Sequence, residues 1–129
     1  MSSLLDKIGA ELRRGLIQIA ALSLLQQRLY GYQLVKILAQ HGLDTEEGTL
    51  YPLLRRLESQ GLLASEWDTN GSRPRKYYVL TDEGLEALPQ LEQVWSEISG
   101  AIGRVLDAGA VVTIHDTEEV PDKPVEAER

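Results

Sequence analysis

A chain of 129 residues with 43% hydrophobic content has room for one modest core and an appendage, not for two independent domains. It has no cysteine, which excludes disulfides and thiolate metal sites, and its two histidines, His41 and His115, lack a paired metal spacing. The net charge of -7 argues at first against a nucleic-acid partner, but the charge is unevenly spread. Residues 13–76 carry nine Lys/Arg against six Asp/Glu, whereas residues 77–129 carry three against twelve. Charges beyond a Debye length of about 8 Å are largely screened, so the local balance at a binding face decides phosphate affinity. No apolar run reaches the ~20 residues of a membrane span, and no signal-like segment heads the chain. The expectation is a cytoplasmic protein with no cofactor and no metal. With no Phe, five Tyr and two Trp, its core is built mainly from Leu and Ile.

Leu12 to Leu25 forms a strongly apolar helix through Leu16, Ile17, Ile19, Ala20, Ala21 and Leu24, headed by Arg13 and Arg14 and closed by Gln26 and Gln27. Arg28 to Tyr30 reads as a turn. Gly31 to His41 is a second helix stopped by Gly42, with His41 at its C-terminus, where a cation favours the dipole. Asp44 and Thr45 offer caps for a third helix, with Glu46 and Glu47 in or near its first turn.

That third helix, around Glu47-Gly-Thr-Leu-Tyr-Pro-Leu-Leu-Arg-Arg-Leu-Glu58, carries the functional signal. At 3.6 residues per turn Leu50, Leu53, Leu54 and Leu57 share one face. The opposite face presents Gly48, Tyr51, Pro52 and Arg55, flanked by Thr49 and Arg56, with Glu47 and Glu58 at the margins. Guanidinium, phenol and threonine hydroxyl are groups that contact phosphates and base edges. The same face would also serve as an ordinary solvated surface; the segment downstream of the helix favours DNA. Leu63 to Trp67 and Arg73 to Leu80 are strand-like runs joined by an Asn-Gly loop, a β-hairpin. Pro74 cannot donate to the ladder, so Arg73 belongs at the exposed tip, close to Arg75 and Lys76. Trp67 reads as hydrophobic filler under the hairpin.

A cationic helix followed by a basic-tipped hairpin describes a winged helix-turn-helix, mainly α with a small β-hairpin. Its helix enters the major groove and its wing clamps phosphates. Thr49 and Tyr51 then fix the helix against phosphates, Arg55 and Arg56 contact bases or flanking positions, Arg73, Arg75 and Lys76 hold phosphates, and Pro52 shares the DNA-binding face.

These segments resemble the PadR family of winged-helix transcriptional regulators. The resemblance rests on Leu12-Arg-Arg-Gly15, Gly31-Tyr32, Glu47 to Glu58, Gly61-Leu62, Arg73-Pro-Arg-Lys-Tyr-Tyr78 and Leu80-Thr-Asp-Glu-Gly84, and covers residues 12 to about 106. It implies a dimeric, ligand-responsive repressor with one long C-terminal dimerisation helix. Glu46 departs from the pattern, which leads one to expect a small capping residue there.

The C-terminal helix is legible without the resemblance. Thr81 is a sound N-cap, with Asp82 and Glu83 in the first turn. Leu88, Leu91, Trp95, Ile98, Ile102 and Val105 recur at alternating intervals of 3 and 4, a heptad seam that suits a second copy of the chain. A helix packed only on its own domain would satisfy the same spacing. Pro89 removes the bond to the Leu85 carbonyl, so a kink or restart is expected near residue 88. Trp95 is the largest knob of the seam. Shorter family members resemble this chain in holding a tryptophan at the matching place, which implies a slot for a planar apolar or phenolic effector formed by Trp95, Leu91, Val94 and Ile98. From Ala108 onward the pattern fails: Val111 to Ile114 suits a short strand, and Asp116 to Arg129 an acidic disordered tail.

The expected organisation is a DNA-binding unit over residues 1–80, a dimerisation helix over 81–108 and a tail over 109–129. An enzyme is disfavoured, because no Ser/His/Asp set, metal cluster, phosphate loop or spaced carboxylate pair appears. The remaining alternative is a winged helix that binds protein and has no small-molecule switch. Such a module has no need of Arg55, Arg56, Arg73 and Arg75 together.

Overall fold

The computed structural model describes residues 2–109 and 114. In chain order the elements are α1 (Ser2–Leu24), β1 (Leu29–Tyr30), α2 (Gly31–Gln40), α3 (Glu47–Ser59), β2 (Leu63–Asp68), β3 (Arg75–Leu80) and α4 (Asp82–Ala108). The chain divides into two compact units, Met1–Trp95 and Ser96–Arg129, and the core lies in the first. The short strand and acidic tail expected beyond Ala108 fall almost wholly outside the described residues.

Each element of the first unit gives one apolar stripe to a common centre. Ile17, Ala21, Leu22 and Leu25 come from α1 and its exit, Leu34 and Leu38 from α2, and Leu50, Leu53, Leu54 and Leu57 from α3. Leu29, Leu63, Tyr78 and Leu80 close it from the sheet, and Leu88 from α4. No polar or charged residue is buried among the described residues, so the core draws its stability from apolar burial and packing.

The helix ends carry the punctuation that the glycines announce. Gly42 and Gly61 take φ of +88° and +87°. Beyond α2 the Leu43 and Gly42 N–H groups donate to Leu38 and Ala39 carbonyls; beyond α3 those of Leu62 and Gly61 donate to Leu57 and Glu58. Both are Schellman stops, which need a residue at ease in the left-handed region. His41 is the C-cap of α2 and its Nδ1 bonds the Ile37 carbonyl at 2.9 Å. At α4 the Thr81 Oγ1 accepts from Gly84 N–H at 3.0 Å and donates to the Gly61 carbonyl at 2.6 Å. The N-cap of α4 is thereby tied to the stop of α3.

Several expectations need correction. The first helix begins at Ser2 instead of Leu12, and the added turns expose Leu4, Leu5 and Ile8. Their stripe takes no part in the core, and Asp6, Lys7 and Glu11 dilute it in the sequence. Arg28 to Tyr30 is not a simple turn: Leu29 and Tyr30 pair with Tyr78 and Tyr77, giving a three-stranded antiparallel sheet in the order β1-β3-β2. Two residues are too few to show a strand period. Neither Asp44 nor Thr45 caps α3. Glu46 is the N-cap, its carbonyl takes the Thr49 and Leu50 N–H groups, and no side chain caps the helix; Glu47 supplies first-turn charge. The helix does not restart at Pro89: α4 runs unbroken through it. The Leu85 carbonyl that loses its bond belongs to a half-exposed residue, where water can replace the donor.

Trp67 is not filler, since it is 62% exposed. The hairpin pairs Leu63 with Leu80 at its base and Trp67 with Lys76 near its tip. Only the base rests on the core, and Trp67 lies beyond it. Arg73 and Pro74 stand outside the ladder, as the missing proline N–H requires.

Gly84 is where α4 comes closest to the α3 stop. A methyl group there would collide with the Leu62 carbonyl oxygen and come within 2.9 Å of Leu80 Cδ2. Because the first obstacle is backbone, Gly84→Ala is expected to lower stability by about 1–3 kcal/mol in urea denaturation. An unchanged midpoint would contradict this close approach.

Candidate nucleic-acid interface

The leucine stripe sets the rotation of α3, and the polar residues divide into two rows. Gly48, Tyr51 and Arg55 form one row; Thr49, Pro52 and Arg56 form the other, all three exposed. Tyr51 and Arg55 of the first row face the wing. Between them lies a groove of about 640 Å³ lined by Tyr30, Tyr32, Tyr51, Arg55, Trp67 and the segment Arg73–Lys76, with Gly31, Glu47 and Tyr78 at its floor and rim. Of the expected DNA contacts, the structure therefore brings together Tyr51, Arg55, Arg73, Arg75 and Lys76. Thr49, Pro52 and Arg56 stay outside the groove, on the second row.

Tyr51 is held from below. Its ring lies against the backbone of Gly31, where a Cβ would run into Cε1. Gly31 thus starts α2 and seats Tyr51 at once. Burial raises the pKa of the phenol above its usual value, and the Glu47 carboxylate and Tyr78 act in the same direction. The group therefore remains a protonated donor throughout the neutral range.

The wing cations differ in how they are held. Arg75 lies with its Cζ 4.7 Å from the centre of the Tyr30 ring, and Tyr30 meets Tyr77 edge-on at 5.3 Å. Arg28 covers Tyr77 at 4.0 Å and bonds Glu66 at 3.0 Å. This chain of contacts restrains the Arg75 guanidinium at little desolvation cost. Lys76 turns the other way, its Nζ 4.0 Å from Glu58 Oε1, while the Ser65 hydroxyl donates to Glu58 Oε2 at 2.6 Å. Glu58, at the end of α3, therefore ties the helix to both wing strands. Arg55, Arg56 and Arg73 form no ion pair among the described residues.

Sequence reasoning missed Tyr30, Tyr32 and Trp67 as groove residues and Gly31 as the seat of Tyr51. Composition held a clue: all the aromatic rings available to the first 80 residues, other than Trp67, are tyrosines, which carry a polar handle to a wet surface.

The expected effector residues are all on α4. Leu91 is half-buried, Val94 and Trp95 are 45% and 43% exposed, and Ile98 is 53% exposed.

Comparison with known proteins decides the family. The model of the transcriptional regulator PadR-like family matches residues 21–90, more than half of the chain. The chain belongs to the PadR-like family. The PadR-family regulator of Eggerthella lenta is 52% identical, with a TM-score of 0.75 over 81% of this chain and 94% of that one. A PadR-like regulator of Bacillus cereus is 32% identical, with a TM-score of 0.65 over 74% of this chain and 96% of that one. Transcriptional regulator Rv3488 of Mycobacterium tuberculosis is 40% identical over 76 residues, which are 56% of this chain and 71% of the relative. This PadR-like protein is thus a DNA-binding transcriptional regulator and not an enzyme. No helix among the described residues is long and apolar enough to cross a membrane.

The raised Tyr51 pKa has a sign that can be checked. A phenol whose folded pKa exceeds its unfolded value of about 10 adds stability that is full below that value and is lost as pH rises through the folded pKa. The stability of the wild type relative to Tyr51→Phe is therefore expected to fall as pH rises above about 10 in denaturant melts. A constant difference would contradict the burial of this phenol.

Proposed function

We propose that this PadR-like regulator is a homodimeric, sequence-specific repressor in the cytoplasm, released from a pseudo-palindromic operator by a small planar hydrophobic or phenolic effector. The observation that carries the DNA reading is the groove, which sets Tyr51 and Arg55 of α3 beside Arg73 and Arg75 of the wing. In this reading α3 enters the major groove, Arg55 contacts base edges, and Arg73 and Arg75 hold phosphates, with Lys76 bridging Glu58 and the backbone. Thr49, Pro52 and Arg56 meet the flanking strand. The DNA-binding unit is assigned to residues 1–80 and dimerisation to 81–108.

Dimerisation is supported by two exposed apolar bands. On α1, Leu4, Leu5, Ile8 and Leu12 are at least half exposed; on α4, Ile98, Ile102 and Val105 are likewise exposed and extend the heptad spacing of Leu88, Leu91 and Trp95. Solvated monomers rarely keep such bands, and a second copy covers them at least cost. The effector slot is assigned to Trp95, Leu91, Val94 and Ile98 of both copies. A tenfold loss of DNA affinity on effector binding requires about 1.4 kcal/mol of preference for the released state. Titrating planar aromatic dyes into the protein–DNA complex tests the slot: saturable release, lost in Trp95→Ala, supports it.

Sedimentation tests the dimer. The wild type is expected to run as a dimer at tens of micromolar and Ile98→Glu as a weaker dimer or a monomer. A wild-type monomer at that concentration would overturn the arrangement.

Binding assays separate helix from wing. Arg75→Ala is expected to weaken all duplexes alike and flatten the salt dependence by ~1 per subunit. Arg55→Ala is expected to cost about 1–3 kcal/mol on the operator and to alter sequence preference. Equal losses on operator and random DNA would place Arg55 among the phosphate contacts.

A further inference from the structure

Trp67 is a large apolar ring left 62% exposed in a strand, beyond the part of the hairpin that rests on the core. It stands opposite Lys76 in the ladder and forms part of the groove wall that includes Arg55, Arg73, Arg75 and Tyr32. Lys76 Nζ is 6.0 Å from the indole centre, at the outer limit of a cation–π contact, so most of the ring surface stays open to a partner. Its position matches what a backbone-tracking surface lacks when it has only cations. Between successive phosphates a DNA strand presents the C–H faces of deoxyribose, which arginines do not cover. An indole offers a flat apolar face for the sugar and one N–H donor for a phosphate oxygen.

We infer that Trp67 is a direct, non-ionic DNA contact, its indole packed on the deoxyribose–phosphate backbone beside the phosphates held by Arg73 and Arg75. The inference rests on the groove being the DNA-binding face. It carries a signature that separates it from every cationic contact. Each neutralised phosphate contributes about 0.9 to the slope of log affinity against log salt, whereas a sugar–indole contact contributes nothing to that slope. Trp67 thus adds affinity that salt does not remove, which is useful to a chain whose net charge of -7 weakens its general attraction to DNA. Because sugar is common to all sequences, the contact strengthens binding without choosing bases.

The test uses the full chain and duplex DNA from upstream of its own gene, alongside a random duplex, across a salt series. Trp67→Ala is expected to bind both duplexes roughly five- to tenfold more weakly at every salt concentration, with unchanged slope and an unchanged urea midpoint. Trp67→Phe is expected to keep most of the affinity. Intrinsic tryptophan fluorescence gives a direct reading: the wild-type emission should change on DNA binding, and Trp67→Phe should lose that change. Trp67→Ala binding like wild type, or Trp67→Phe keeping the full fluorescence change, would overturn the contact while leaving the DNA reading intact. A fall in slope like that of Arg75→Ala would overturn its non-ionic character. Failure of the wild type to bind any duplex would overturn the DNA reading and this contact with it.

Discussion

The rotation of α3 about its own axis is the constraint on which the rest depends. Leu50, Leu53, Leu54 and Leu57 are nearly or wholly buried, and burying each of them stabilises the fold by about 1.5–3 kcal/mol. A slip of one residue, about 100°, would leave only Leu54 of the four leucines at the core and bring Tyr51, Arg55 and Glu58 there in place of the rest. An unpaired buried guanidinium is prohibitive, so no alternative rotation competes. The same apolar stripe that stabilises the domain thereby aims Tyr51 and Arg55 at the wing side.

Once α3 is aimed, a small set of polar contacts fixes the wing against it. Glu58 reaches Ser65 on β2 and Lys76 on β3, while Tyr30 and Tyr77 restrain Arg75 from β1 and the central strand. The Arg28–Glu66 pair is substantially exposed, so it adds little to stability. Its effect is geometric: side chains already placed lose less freedom when a ligand binds. Gly31 belongs to the same device, since only the missing Cβ lets the Tyr51 ring sit on the backbone at the start of α2.

The parts of this design that show in the sequence are those written in periodicity and punctuation. The α3 leucines repeat at helical spacing, Gly42 and Gly61 mark stops, Thr81 marks a start, and Pro74 keeps Arg73 off the ladder. What does not show is written in tertiary contact. β1 is too short for a period and exists because β3 offers it an edge. Trp67 looks like core because indole is apolar, yet the register places it beyond the reach of the helices. The beginning of α1 is hidden because its apolar stripe stays outside the core and its charges blur the pattern. Glu46 at the head of α3 defied the capping preference because the backbone carbonyl and the charge of Glu47 suffice without a side-chain cap.

The central claim is that one concave face, made by the Tyr51–Arg55 row of α3 and the wing, meets DNA. Amide chemical-shift mapping on titration with duplex DNA tests it most directly. The account predicts that perturbed amides cluster along α3 from Gly48 to Arg55, at Gly31 and Tyr32, and from Trp67 to Lys76, with the core leucines of α1 unchanged. Perturbations confined to α1 and α4, with α3 and the wing silent, would contradict it.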